Sequence, residues 1–164
     1  MLPADFKEFI ELMISNRVRF VMIGGFAYNL YRNPRATGDI DFLIALDCEN
    51  ESRLRQVLIE FGFGSTLPEP TESLLQDGKV IMLGHSPFRI DILTRIDGTD
   101  FNEVDSTKLI FEIDGLSVPV ISPESLLKNK KATGRVKDQP DVLELEAFLS
   151  EKLNDPNSPF KRQA

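Results

Sequence analysis

Residues 19–46 read RFVMIGGFAYNLYRNPRATGDIDFLIAL, and the fold turns on how this stretch is read. The β-rich run from Arg19 to Ile23 meets Gly24-Gly25, after which Phe26, Ala27, Leu30 and Tyr31 return at helical spacing. The pattern predicts strand, glycine turn, helix. From Gly38 to Leu46 the alternation is strict, with Ile40, Phe42, Ile44 and Leu46 on one face and Asp39, Asp41, Leu43 and Ala45 on the other. This is a strand with two carboxylates on one side. Asp91, flanked by Ile90 and Ile92 in the run Arg89 to Leu93, supplies a third if that run forms a neighbouring strand.

Three carboxylates held that close repel one another, and burial raises their pKa values, unless a cation lies between them. Mg²⁺ suits such a set, because it prefers hard oxygen ligands and shares them with substrate phosphates. Mn²⁺ is the other candidate. Asp is depleted in strands, so three of them beside Ile and Phe make a poor water-facing surface. Gly24-Gly25 alone reads as a turn. Next to the carboxylates it becomes a backbone N–H cradle for phosphate at a helix N-terminus.

Outward from this centre, Phe6, Phe9, Ile10 and Met13 predict an amphipathic helix over 3–16 with Pro3 near its start. Asn50 is positioned to cap a helix burying Leu54, Val57, Leu58 and Phe61 and stopping at Gly62. Residues 62–78 read as irregular. Lys79–Leu83 and Arg89–Leu93 predict two strands, and Leu109–Ile113 and Leu116–Val120 flank an Asp114-Gly115 hairpin turn. Ser122-Pro123 opens a helix ending near Gly134, and Val142, Leu145, Phe148, Leu149 and Leu153 mark the last helix, with Asp138 where an N-cap is wanted. Residues 154–164 form a polar tail. The expected architecture is an α/β fold, a mixed twisted sheet of about five strands with flanking helices and the metal site at one edge. Residues 1–153 make one domain, in which helices 121–153 close the cleft.

Composition narrows the function. At 164 residues there is room for one domain. Nineteen Lys plus Arg against 26 Asp plus Glu give a net charge of -7, so any grip on phosphate must be local. One such locality is residues 128–137, where Lys128, Lys130, Lys131, Arg135 and Lys137 occur without an acid. This segment suits a triphosphate or an RNA end, or equally a solvated helix C-terminus favoured by the helix dipole. With one His, His85 in a hairpin loop, and one Cys, Cys48 as a free thiol, neither a zinc site nor a Cys–His pair is expected. No apolar run approaches the length of a membrane span, and the lone cysteine and acidic N-terminus lead to the expectation of a cytoplasmic protein.

Taken together, Met22-Ile23-Gly24-Gly25, Arg35-Ala36-Thr37-Gly38-Asp39-Ile40-Asp41-Phe42 and Arg89-Ile90-Asp91-Ile92 resemble the DNA polymerase β-like nucleotidyltransferase superfamily. Within it, the Arg-x-Thr-x-Asp-x-Asp form is similar to small bacterial proteins related to the abortive-infection toxins of toxin–antitoxin systems. The later Pro123–Lys130 helix, Gly134-Arg135-Val136-Lys137-Asp138 and Asp141 resemble that branch's closing segment. The resemblance implies that Asp39 and Asp41 ligate two metal ions and that Asp91 is the third ligand and a base for the incoming hydroxyl. It further implies that Gly24, Gly25, Arg35, Thr37, Lys130, Arg135 and Lys137 meet the nucleotide. Lys128 and Lys131 stand close enough to be alternatives to Lys130.

The implied activity is transfer of a nucleoside monophosphate from an NTP to an acceptor hydroxyl, on a tRNA or other RNA end, a protein or a small molecule, with release of pyrophosphate. An antitoxin partner goes with that branch. The rival is a non-catalytic nucleotide- or partner-binding module on the same fold.

Overall fold

Six strands form one mixed sheet in the order β3-β4-β2-β1-β6-β5 in a computed structural model that describes residues 1–32 and 34–155. Its elements are α1 (Ala4–Ser15), β1 (Phe20–Ile23), α2 (Gly24–Tyr31), β2 (Asp39–Ile44), α3 (Cys48–Leu58), β3 (Val80–Leu83), β4 (Arg89–Leu93), α4 (Phe101–Thr107), β5 (Leu109–Ile113), β6 (Leu116–Val120), α5 (Pro123–Thr133) and α6 (Gln139–Asn154). β2 runs antiparallel to β1 and parallel to β4, and β1 runs parallel to β6. The two hairpins β3–β4 and β5–β6 extend the sheet at either end.

Alternation along β1 and β2 decides which side meets the core. Met22 pairs with Phe42 and Phe20 with Ile44, so these side chains share a face. There Phe9 of α1 packs over Phe42, with ring centroids 5.9 Å apart, and Phe61 meets Phe9 edge-on at 5.1 Å. A second group gathers where Tyr31 of α2 packs on Phe111 and Phe148, its hydroxyl donating to the Ile121 carbonyl at 2.6 Å. These contacts pack the end of α2 against β5, α6 and the segment that follows β6.

Several local readings hold. Ser122 accepts the Ser125 N–H with Pro123 at the first helical position, Gly134 ends α5 at φ +62°, and Asp114 and Gly115 both take positive φ in the β5–β6 turn. Others are corrected. The mixed sheet is as expected and has six strands, but the carboxylates lie on its inner strands β2 and β4 rather than at an edge. Strand β2 stops at Ile44, short of Leu46. Asp47, not Asn50, caps α3; Asn50 is its buried recipient, donating to the Arg19 and Ala45 carbonyls and accepting the Arg19 N–H. The helix α4 was not expected; Asp100 caps it and Phe101 and Val104 anchor it. Residues 62–78 are largely irregular, yet Leu74 and Leu75 are buried because Glu51 accepts both of their N–H groups. The expected polar tail lies outside the described residues beyond Asp155.

Candidate active site

Asp41 and Asp91 are Cα partners across the parallel β2–β4 pair, and Asp39 is partnered with Arg89. Paired residues project to the same side, so all four side chains share one face of the sheet. They open into a cavity of about 630 Å³. Gly24, Gly25, Arg35, Thr37, Lys130, Arg135 and Lys137 line the same cavity, so every site residue expected from the sequence converges there. Lys128 and Lys131 do not: Lys128 binds Glu103 at 2.9 Å and Lys131 binds Glu146 at 2.5 Å. His85 and Cys48 are exposed elsewhere.

The glycine turn is shaped by Asp41. Gly24 has φ +68°, and a Cβ there would stand 2.2 Å from Asp41 Oδ2. Only glycine lets the strand enter α2 directly while the carboxylate lies against its backbone. At Gly25 a Cβ would meet Thr37 Oγ1 at 2.8 Å, and that hydroxyl donates to the Asp39 carbonyl at 3.2 Å. Thr37 thus braces the carboxylate strand against the N-terminus of α2, where unpaired N–H groups favour an anion.

Burial, then the neighbouring charges of Asp91 and Asp39, push Asp41 up to about 6, against the opposing pull of Arg89 and Arg135. Such a carboxyl holds its proton more tightly folded than unfolded. Its stabilising contribution is therefore full below its unfolded value of 3.8 and is lost as the pH rises to about 6. In metal-free protein, Asp41→Asn should match wild type near pH 4 and exceed it by on the order of 2 kcal/mol at pH 7, read from denaturant unfolding at both pH values.

Arg89 was given no role by the sequence, yet it is central to the site. Its Nε and Nη2 donate to the two oxygens of Asp91 at 2.7 and 2.8 Å, and Nη2 also reaches Asp39 Oδ2 at 3.0 Å. Asp39 Oδ1 is buried with no hydrogen-bond partner. A hard-oxygen set with one orphaned carboxylate oxygen suits a divalent cation. Among the described residues no three acidic, His or Cys side chains stand close enough together to hold an ion as they lie, and Asp91 is turned to Arg89 instead.

The opposite wall carries the cations. Lys130 is 4% exposed, its Nζ 3.0 Å from Asp138 Oδ1 and 2.8 Å from Asp141 Oδ2. Asp141 also takes a bidentate pair from Arg35 at 3.1 and 2.7 Å, and Asp138 accepts from Arg135 at 2.6 Å and Thr133 at 3.2 Å. Burial pushes both acids up, but the Lys130 and arginine bonds outweigh it and hold them below the usual carboxylate range. The reading of Asp138 as an N-cap is corrected: it stands at that position with its side chain capping nothing, because its oxygens are taken by cations. Two buried acids thereby aim Lys130, Arg35 and Arg135 at the cavity, a role visible in sequence only as the spacing of Asp138 and Asp141 behind Lys130.

Residues 15–133 match the family described as "Nucleotidyl transferase AbiEii toxin, Type IV TA system". The chain belongs to this family. It is therefore a nucleotidyltransferase of a toxin–antitoxin class, and the matched part contains the three aspartates, Arg89 and Lys130, while Arg135, Asp138 and Asp141 follow it. Solved structures agree on the fold. A nucleotidyltransferase-like antigen of Paracoccidioides brasiliensis is 16% identical, with a TM-score of 0.54 over 94% of this chain and 78% of that one. A putative nucleotidyltransferase of Thermotoga maritima is 18% identical, with a TM-score of 0.51 over 89% of this chain and 91% of that one. The antibiotic-resistance factor ANT(2'')-Ia, determined with adenylyl-2''-tobramycin, is 14% identical, with a TM-score of 0.55 over 90% of this chain and 87% of that one. No curated protein matches the sequence. Among the described residues no helix is long and apolar enough to cross a membrane.

Proposed function

We propose that this AbiEii-family enzyme transfers a nucleoside monophosphate from an NTP to an acceptor hydroxyl and releases pyrophosphate, with Mg²⁺ or Mn²⁺ held by Asp39, Asp41 and Asp91. The observation that carries the reading is the convergence, in one cavity, of three carboxylates on adjacent strands, the N-terminus of α2 and a wall of aimed cations. A divalent ion bound there would neutralise phosphate charge and lower the pKa of the attacking hydroxyl.

The chain's own residues would do the rest. The N–H groups at the start of α2 would receive the triphosphate, and Lys130, Arg35, Arg135 and the exposed Lys137 would bind its remaining charge, as positioning and electrostatics dominate phosphoryl transfer. Asp91 would accept the acceptor's proton. Residues 1–153 act as one domain in this reading, with the α5–α6 segment as the cleft's cationic wall.

The acceptor is an RNA end such as a tRNA, a protein hydroxyl or a small molecule. ANT(2'')-Ia, bound to an adenylylated aminoglycoside, illustrates the small-molecule case on this fold. Membership in a type IV toxin–antitoxin family supports an antitoxin partner and a cytoplasmic site of action. Incubation with each of the four NTPs, labelled at the α-phosphorus, and total tRNA, the protein itself or a panel of small hydroxyl compounds should label at least one acceptor with Mg²⁺ or Mn²⁺ and none with chelator.

A further inference from the structure

We infer that Arg89 is a built-in competitor of the divalent cation: it holds Asp39 and Asp91 together in the metal-free protein and must leave them when the ion binds. This rests on the reading of Asp39, Asp41 and Asp91 as the cation site.

The guanidinium engages both oxygens of Asp91 with a parallel pair of short bonds and reaches Asp39 with the same Nη2. Such a fork takes the in-plane lone pairs that a metal ligand would offer. Asp91 is 12% exposed, so its charge is screened little and its countercharge matters. Arg89 is 32% exposed and lines the cavity, so the space beside it opens toward the substrate side. The only oxygen of the pair Asp39 and Asp91 that lacks a partner, Oδ1 of Asp39, is the one Arg89 does not reach.

A fixed positive charge a few ångströms from a bound dication opposes it, whereas the same charge displaced toward the cavity would meet the anionic triphosphate. Arg89 would thus keep the carboxylates collapsed until the metal–nucleotide complex arrives and would then move onto the phosphates. In this role Arg89 is a positioning residue whose bond to Asp91 is exchanged for one to substrate.

The test is Mn²⁺ titration without nucleotide, read from the electron paramagnetic resonance signal of free Mn²⁺, on wild type, Arg89→Gln and Arg89→Lys, with Asp41→Asn as the control for binding at this site. Arg89→Gln should bind Mn²⁺ about tenfold more tightly than wild type, because a repelling unit charge is removed. Arg89→Lys should lie between them. In wild type, the Arg89 Nε–H resonance, assigned by its loss in Arg89→Lys, should shift as Mg²⁺ is added. A folded Arg89→Gln protein that binds Mn²⁺ equally or more weakly, while Asp41→Asn loses it, overturns the competition and leaves the cation site standing. If Arg89→Gln does not fold, an Arg89 resonance unmoved at saturating Mg²⁺ overturns it. Mn²⁺ bound by neither wild type nor variant overturns both the competition and the cation site.

Discussion

Replacing Lys130 with alanine should lower the unfolding free energy by about 3 kcal/mol, the scale for stranding buried ion-pair partners. The family resemblance implies that Lys130 meets the triphosphate, a contact whose loss by itself leaves stability nearly unchanged. In the structure its ammonium is buried between Asp138 and Asp141, so removing it leaves two carboxylates facing each other with fewer counterions. Arg35 and Arg135 remain to hold one acid each, which keeps the effect at the low end of the range. Because these acids lie below their ordinary value of 3.8, the stability they contribute is present above that pH and lost as the pH falls through their lowered values. Denaturant unfolding at pH 7 and pH 3 should therefore show a smaller acid-side loss in Lys130→Ala than in wild type. NTP affinity should also fall by about 1–3 kcal/mol, through the lost phosphate contact. Lys128→Ala, on the exposed pair with Glu103, should change stability by less than about 1 kcal/mol.

Asp91→Asn should reduce turnover by about a thousandfold or more while NTP still binds. Asp91 is the register partner of Asp41 and stands on a different strand, so its loss leaves Asp39, Asp41, the α2 N-terminus and the cationic wall in place. What disappears is a charge that matters when the hydroxyl attacks and its proton departs, and an interaction of that kind appears in kcat rather than in substrate affinity. Asn also keeps one acceptor for Arg89, which protects the fold. Single-turnover kinetics with saturating NTP, beside equilibrium binding of a non-hydrolysable NTP, separates the two quantities. Equal losses in both would show Asp91 to be a ground-state ligand only.

The site was more legible than the scaffold around it. A strand periodicity of two places Asp39 and Asp41 on one face whatever the rest of the chain does, and a glycine pair at the end of a buried strand is a local signal. Asp91 could be brought to them only if the run Arg89–Leu93 formed a neighbouring strand, and the parallel β2–β4 register does this. Arg89 escaped because its role exists only across that register: nothing in the sequence shows that a side chain two residues before Asp91 will also reach Asp39. Lys130 was placed in the cavity but its burial was missed, since a cation-rich helix end reads as solvated until Asp138 and Asp141 fold back onto it. Asn50 and Asp47 show the same limit, as both can cap a helix and the choice is made by where the Arg19 backbone comes to lie. Leu74 and Leu75 were hidden in a stretch whose prolines and polar residues signal a loop, and the Glu51 carboxylate on α3 reaches their N–H groups across it.

The most direct test of the central claim is a double-label transfer assay. Wild type and Asp41→Asn are incubated with Mn²⁺ or Mg²⁺, total tRNA and each NTP labelled at either the α- or the γ-phosphorus. Wild type should place α-label on an acceptor and release γ-label as pyrophosphate, and Asp41→Asn should do neither. Acceptor carrying γ-label, or transfer that persists undiminished in Asp41→Asn, would contradict a nucleotidyl transfer run by these carboxylates.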